Sequence, residues 1–228
     1  MKSSAAERWP VPGEPLPRGP HRLPRDVVVR SQRSRMLHAL VEVVASKGYH
    51  AATVADIIGR AGVSRTTFYQ QFKDKQDCFL VAYQRGADAH WRSVVEAVAS
   101  AGDPPERLRR NLRAYLGELV EHPAAARAFL LEVAAAGPAA LAIRERLRQR
   151  YAGLLRQLYG HFRERDARLP ELPQEVFRAA VAAVDELVVR EIAEGRLARL
   201  AELEPVAVYL ELALFGVPGA GAVLDGSG

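Results

Sequence analysis

An all-α protein is predicted by three features of this 228-residue chain. Ala, Leu and Arg dominate, β-branched runs are short and aromatics make up 7%, a balance that favours helices over strands. Apolar residues recur at spacings of three and four along most of the chain. The periodic stretches are separated by Gly and Pro, as at Gly102-Asp103-Pro104-Pro105, His122-Pro123, Gly137-Pro138 and Leu169-Pro170. With 49% hydrophobic and 26% charged residues, the chain has the composition of a globular protein with a real core.

Residues 1–24 hold six prolines and little hydrophobic periodicity, which predicts a disordered basic arm. From Asp26 a helix is expected, with Met36, Leu37, Leu40, Val41, Val43 and Val44 on its inward side and Gly48 as a left-handed cap. Thr53 starts a short helix whose inward residues are Val54, Ile57, Ile58 and Ala61, with Asp56 near its positive end. Gly62 stops that helix and Ser64 caps the next, which turns Phe68 and Phe72 inward. A long helix then runs from about 74 to 100, and another from 105 to 121 with Leu108, Leu112, Tyr115, Leu116 and Leu119 on one stripe. An Ala-rich helix with Phe129, Leu130 and Val133 follows, then one carrying Leu147, Tyr151, Leu154, Leu155, Leu158 and Phe162. Two last helices are expected at about 174–194 and 202–215, before a Gly-rich tail. The tail's GAGAVLDG follows no strand, so it is not a dinucleotide loop.

Three short helices with a Gly-containing turn into a capped helix make a helix-turn-helix. Its second helix has two unlike sides. Phe68 and Phe72 pack inward, while Arg65, Thr66, Tyr69 and Gln70 point out. Arg donates two bonds to guanine in the major groove, Gln pairs with adenine, and Thr contacts a thymine methyl or a phosphate. Tyr, Thr and Lys hold phosphates and fix register. Charge agrees with this reading. Residues 1–75 carry thirteen Lys and Arg against six Asp and Glu, whereas the remainder is net −2. A basic excess confined to the first third points to a polyanion partner there. The plainer alternative is a solubilising tail, since five of those charges, Lys2 to Arg25, lie in the disordered-looking start of the chain.

The pattern resembles the DNA-binding segment of the TetR family of bacterial regulators over about residues 30–80. The matching residues are Gly48-Tyr49, Thr53-Val54, Asp56-Ile57, Ala61-Gly62-Val63-Ser64, Thr67-Phe68-Tyr69, Phe72, Lys75 and Cys78-Phe79. Gln71 replaces a His common in the family, and Ile58 replaces a usual small residue. The resemblance implies a homodimeric repressor on a palindromic double-stranded DNA operator, released when a small-molecule effector enters the larger domain. Carried over by position, Arg65, Thr66 and Gln70 are candidate base readers, and Thr53, Thr67, Tyr69, Gln71 and Lys75 candidate phosphate contacts. For Thr53 capping alone is the alternative, and for Tyr69 packing on the long helix. The implied organisation is an arm (1–24), a helix-turn-helix domain (25–75), a helical ligand-binding and dimerisation domain (76–216) and a flexible tail (217–228).

The helix near 174–194 is apolar on two sides, and so is that near 202–215, so each is buried on two sides. The family suggests a four-helix isologous interface, and Val176, Ala180, Ala183, Leu187, Val208, Leu212 and Phe215 are its candidates. Trp91, Tyr115, Phe129, Tyr151, Leu154 and Phe177 are candidates to line a pocket, with core packing as the alternative for each. His90 reads as a surface residue and Asp185 as a solvated or capped acid.

Other functions find less support. There are no paired carboxylates, no metal-ligand cluster and no nucleophile elbow, so no enzyme, metal or cofactor is expected. The single cysteine, Cys78, excludes an internal disulfide and suits a reducing cytoplasm, and a redox role for it stays open. No apolar run is long enough to span a bilayer. The alternative function is an all-α protein-interaction or small-molecule carrier protein without DNA binding. The polar Arg-Thr-Thr-Tyr-Gln set argues against it, because a protein-binding helix shows an apolar anchor row.

Overall fold

The computed structural model describes residues 24–99 and 102–224, and among these it is all α with no strand. The arm expected over 1–24 therefore lies, Pro24 apart, outside the described residues, as does the end of the tail. The helices are α1 (Arg25–Lys47), α2 (Val54–Ala61), α3 (Arg65–Gln71), α4 (Lys75–Ala99), α5 (Pro104–Glu121), α6 (Pro123–Ala126), α7 (Pro138–Arg165), α8 (Gln174–Ala193) and α9 (Glu204–Leu214). Two compact units are formed, one up to His90 together with Ala124–Ile143, the other from Trp91–Pro123 and Arg144 onward. The boundaries fall within α4, α6 and α7 instead of at residue 75. No described helix is long and apolar enough to cross a membrane.

In the first unit, Met36, Leu37, Leu40 and Val44 of α1 are fully buried with Ile57 of α2, Phe68 of α3 and Phe79 of α4. Phe68 and Phe72 sit 5.5 Å apart, and Phe79 meets the edges of Tyr49 and Phe129 at 5.3 and 5.5 Å. Burying such rings contributes about 2–3 kcal/mol each. After α6 the chain takes a π turn, Arg127–Leu131. Glu132 just beyond it accepts the Tyr49 backbone N–H at 2.8 Å, tying this segment to the end of α1.

The ends of α1 and α2 follow from local chemistry. Gly48 has φ +80° but ψ 158°, an extended glycine conformation and not the left-handed cap expected. Gly62 does take the left-handed turn, at φ +63° and ψ 43°, and its N–H closes on the Ile58 carbonyl. Arg35 reaches across to satisfy the Ala61 carbonyl at 3.0 Å. At the start of α2, Thr53 Oγ1 accepts the Asp56 N–H while Asp56 accepts the Thr53 N–H, a reciprocal pair at 3.1 and 3.0 Å.

Hydrogen bonds from Lys47 and Thr53 hold the Asp56 carboxyl down at about 2. A depressed acid stabilises the fold above its unfolded pKa and loses that contribution as pH falls through the folded value. Stability of the first unit should therefore drop between about pH 4 and pH 2, and Asp56→Asn should flatten that limb in an acid titration followed by circular dichroism. Thr53→Ala should cost about 1 kcal/mol in urea unfolding at neutral pH.

In the second unit, Leu108, Leu112 and Leu116 of α5, Leu155 and Leu158 of α7 and Val188 of α8 are all buried. Tyr159, Phe177 and Phe215 form a triangle of rings with centroids 5.3–5.8 Å apart. A 3₁₀ turn, Leu197–Leu203, precedes α9, and the tail expected to be loose forms a further 3₁₀ turn at Ala220–Val223.

The two-sided pattern of α9 resolves against expectation. Val208, Leu212 and Phe215, offered above as partner contacts, are at most 5% exposed within the chain itself, and Ala180 of α8 is 1% exposed. They pack the unit's own core. The outward stripe of α9 is Val206 and Leu214, 39% and 42% exposed, with Leu210 half-buried between them. Val176, Ala183 and Leu187 of α8 are half-buried.

Candidate nucleic-acid interface and interior cavity

Helix α3 begins at Ser64, whose hydroxyl accepts the Thr67 N–H at 3.0 Å and lies 2.9 Å from the Thr67 hydroxyl. Phe68 anchors the helix from below. Arg33 fixes its far end, donating to the Gln71 carbonyl and side-chain oxygen at 3.1 and 3.2 Å and lying over the Phe72 ring. Between these anchors Arg65, Thr66, Tyr69 and Gln70 face solvent. Among the described residues their side chains make no hydrogen bond to the protein. Tyr69 is 49% exposed and braced by an edge contact with Phe68 at 5.4 Å. The result is a rigid helix that presents donors, acceptors and one cation outward.

Some of the predicted contacts are engaged internally. Thr53 caps α2, and the Thr67 hydroxyl lies against that of Ser64, the cap of α3, though Thr53 is exposed. Gln71 keeps its amide N–H₂ but its oxygen is taken by Arg33. Lys75 departs furthest from the expected phosphate role. Its Nζ donates to the Tyr49 and Ala52 carbonyls at 2.6 and 2.8 Å and sits 4.3 Å from the Tyr49 ring centre. Desolvation lowers its pKa. This lysine staples the α1–α2 connection to α4, because those carbonyls would otherwise lack partners. Lys73, passed over in the sequence, is exposed and has no side-chain partner among the described residues. Its only signal was its place beside α3 in Phe72-Lys73-Asp74-Lys75.

Cys78 is fully buried and its thiol pKa is pushed up by that burial, which makes it an inert packing residue, not a redox switch.

The second unit contains a partly open cavity of about 30 Å³. Helix α5 contributes Asn111, Leu112 and Tyr115, and α7 contributes Tyr151 and Leu155. Helix α8 adds Val181, Val184 and Asp185, and α9 adds Glu211. Of the six predicted pocket residues, only Tyr115 and Tyr151 line it. Trp91 stands behind, edge-on to Tyr151 at 5.5 Å. Leu154 is one position from the wall, which takes Leu155. Phe177 belongs to the ring triangle, and Phe129 stacks on Tyr83 at 4.8 Å in the first unit. The π turn carries Phe129 there, a register that helical periodicity does not reveal.

The cavity wall is polar on one side. Asp185 is not a solvated acid: it accepts from Arg148 at 2.6 Å and from the Tyr115 hydroxyl at 3.2 Å. Tyr151 keeps part of its surface in solvent, yet its pKa is raised, first by burial and then by Glu118, Asp185 and Glu211. Glu211 and Asn111 are each 2% exposed, and among the described residues Glu211 Oε2 and Asn111 Oδ1 have no hydrogen-bond partner. Burial raises the Glu211 carboxyl to about 8. The sequence did carry a signal: Glu211 and Asn111 are lone polar residues on apolar stripes. His90, read as a surface residue, is 4% exposed.

A capped, glycine-turned helix with a free polar edge defines a helix-turn-helix DNA-binding module. Residues 36–82 match the family model described as "Bacterial regulatory proteins, tetR family". The chain is 37% identical over 114 residues to the HTH-type transcriptional activator FasR of Mycolicibacterium smegmatis, covering 48% of this chain and 50% of that protein. The chain thus spans about half the length of the curated relatives it matches. Among solved structures it is similar to the fatty acid degradation regulator FadR from Bacillus halodurans, with a TM-score of 0.69 at 22% identity over 80% of this chain and 97% of that one. It is also similar to FadR from Bacillus subtilis in complex with stearoyl-CoA, with a TM-score of 0.68 at 22% identity over 80% and 98%. At such identity these structures establish the fold.

Proposed function

We propose that this chain is a sequence-specific, DNA-binding transcriptional regulator that works as a homodimer and answers to a small molecule held in its second unit. The observation that carries the reading is the edge of α3, where Arg65, Thr66, Tyr69 and Gln70 are exposed and held rigid from behind. Arg65 and Gln70 have the bidentate chemistry that reads base edges, and Thr66 that of a methyl or phosphate contact. Tyr69, Thr53 and the Gln71 amide supply phosphate contacts, with Lys73 taking the charge role first given to Lys75. The outward stripe Val206, Leu210 and Leu214 of α9, with Val176, Ala183 and Leu187 of α8, is the apolar surface for the second copy.

The direction of control follows the family expectation of repression relieved by an effector. FasR is named an activator, and the same DNA-reading machinery serves either outcome. FadR from Bacillus subtilis was solved with stearoyl-CoA, which makes an acyl-CoA one effector to try here. Regulators of this kind work in the cytoplasm and are not enzymes. The carrier reading is disfavoured because the α3 edge has no row of apolar anchors.

Repeated selection from a randomised duplex pool should enrich a two-fold symmetric sequence, with half-site centres about one helical turn or a multiple of it apart. A pool that stays random after several rounds contradicts the reading.

A further inference from the structure

We propose that the cavity enclosed by α5, α7, α8 and α9 recognises the ammonium head of a small primary amine, with Glu211 and Asn111 as its acceptors. Among the described residues five buried side-chain polar atoms lack a partner, and two of them, Glu211 Oε2 and Asn111 Oδ1, are oxygens on nearly inaccessible side chains in the wall of this one cavity; Asn111 Oδ1 accepts, and Glu211 does so once ionised. A buried polar atom without a partner is costly, so an occupant that supplies donors is favoured over an apolar one. An ammonium supplies three.

The charges select the same sign. Two carboxyl groups, Glu211 and Asp185, line the cavity, and the cation beside them, Arg148, already bonds Asp185 at 2.6 Å. A carboxylate or phosphate ligand would meet two acids and no uncommitted cation. The Tyr115 and Tyr151 rings, 5.8 Å apart in the same wall, are surfaces that attract cations. Size limits the ligand further. A cavity of about 30 Å³ has room for about two waters, which suits an ammonium on a short alkyl stem.

Binding carries a proton signature. Glu211 is protonated when the cavity is empty at neutral pH, because burial holds its pKa at about 8. An arriving ammonium brings one positive charge. Glu211 loses its proton to solvent, and the carboxylate and ammonium pair without net change of charge in the site. The other groups facing Glu211 are Asp185 with Arg148, and the Tyr115 and Tyr151 hydroxyls, with Glu118 acting on Tyr151.

That filling this site reports to DNA rests on the regulatory reading above; the binding itself does not. Titration calorimetry without DNA therefore separates the two. Methylamine to butylamine, as hydrochlorides, are titrated into the full chain at pH 7 in two buffers of different ionisation heat. The expected result is saturable binding with close to one proton released per amine. The alcohol of equal length, and Glu211→Gln with the amine, should each bind about tenfold or more weaker. Asn111→Leu should weaken binding without abolishing proton release. No amine binding, equal binding of the alcohol, or unchanged binding by Glu211→Gln would each overturn the proposal and leave a water-filled cavity. The duplex selection would stand in any of those cases.

Discussion

Glu211→Gln is expected to stabilise the protein by about 3 kcal/mol at pH 7 and to remove a pH dependence that the native chain shows. The native carboxyl is 2% exposed, has one oxygen without a partner, and is raised to about 8 by burial alone. An acid whose folded pKa is raised favours the fold fully below the unfolded pKa, near 4.5, and that advantage is lost as pH rises through the folded value. Between those values the unfolded chain binds fewer protons than the folded one, so stability falls with rising pH and levels off above about 8. Glutamine keeps the shape and cannot ionise. Urea unfolding at pH 5, 7 and 8 should show a small gain at the lowest pH and the full gain at the highest. Parallel pH profiles for the two proteins would mean that Glu211 is solvated in the native state.

On the DNA side, Arg65→Ala should weaken the selected duplex by about 10- to 100-fold, the worth of one bidentate base contact, and relax the preference at the base pairs it reads. Lys73→Ala should weaken all sequences alike and lower the salt slope by about one. Lys75→Met should behave differently from both. Its ammonium serves two backbone carbonyls and a tyrosine ring, so its loss should cost about 2 kcal/mol of stability with the salt slope unchanged. Normal stability with a shallower slope in Lys75→Met would return Lys75 to the phosphate.

Much of the first unit was legible in the sequence because its signals are local. Thr53 and Ser64 are caps, Gly62 has the positive φ its turn demands, and Phe68 sits on the inward side of a short helix. What escaped depends on contacts distant in the chain. Lys75 finds its carbonyls 23 and 26 residues back, and nothing near it announces them. On α9, periodicity separates Val206, Leu210 and Leu214 from Val208, Leu212 and Phe215 but does not tell which set faces the core. The π turn moved Phe129 out of the register that a continuous helix implies. Two of the cavity's nine lining residues were visible, Tyr115 and Tyr151, while Glu211 and Asn111 were legible only as polar interruptions of apolar stripes.

The claim on which the rest depends is that the exposed edge of α3 meets DNA. Hydrogen–deuterium exchange of the full chain with and without the selected duplex tests it most directly. Added slowing of exchange should be confined to the stretch from Thr53 through Lys73, strongest over Ser64–Gln71. Unchanged exchange across that stretch, or slowing centred on α5 or α7, would contradict the account.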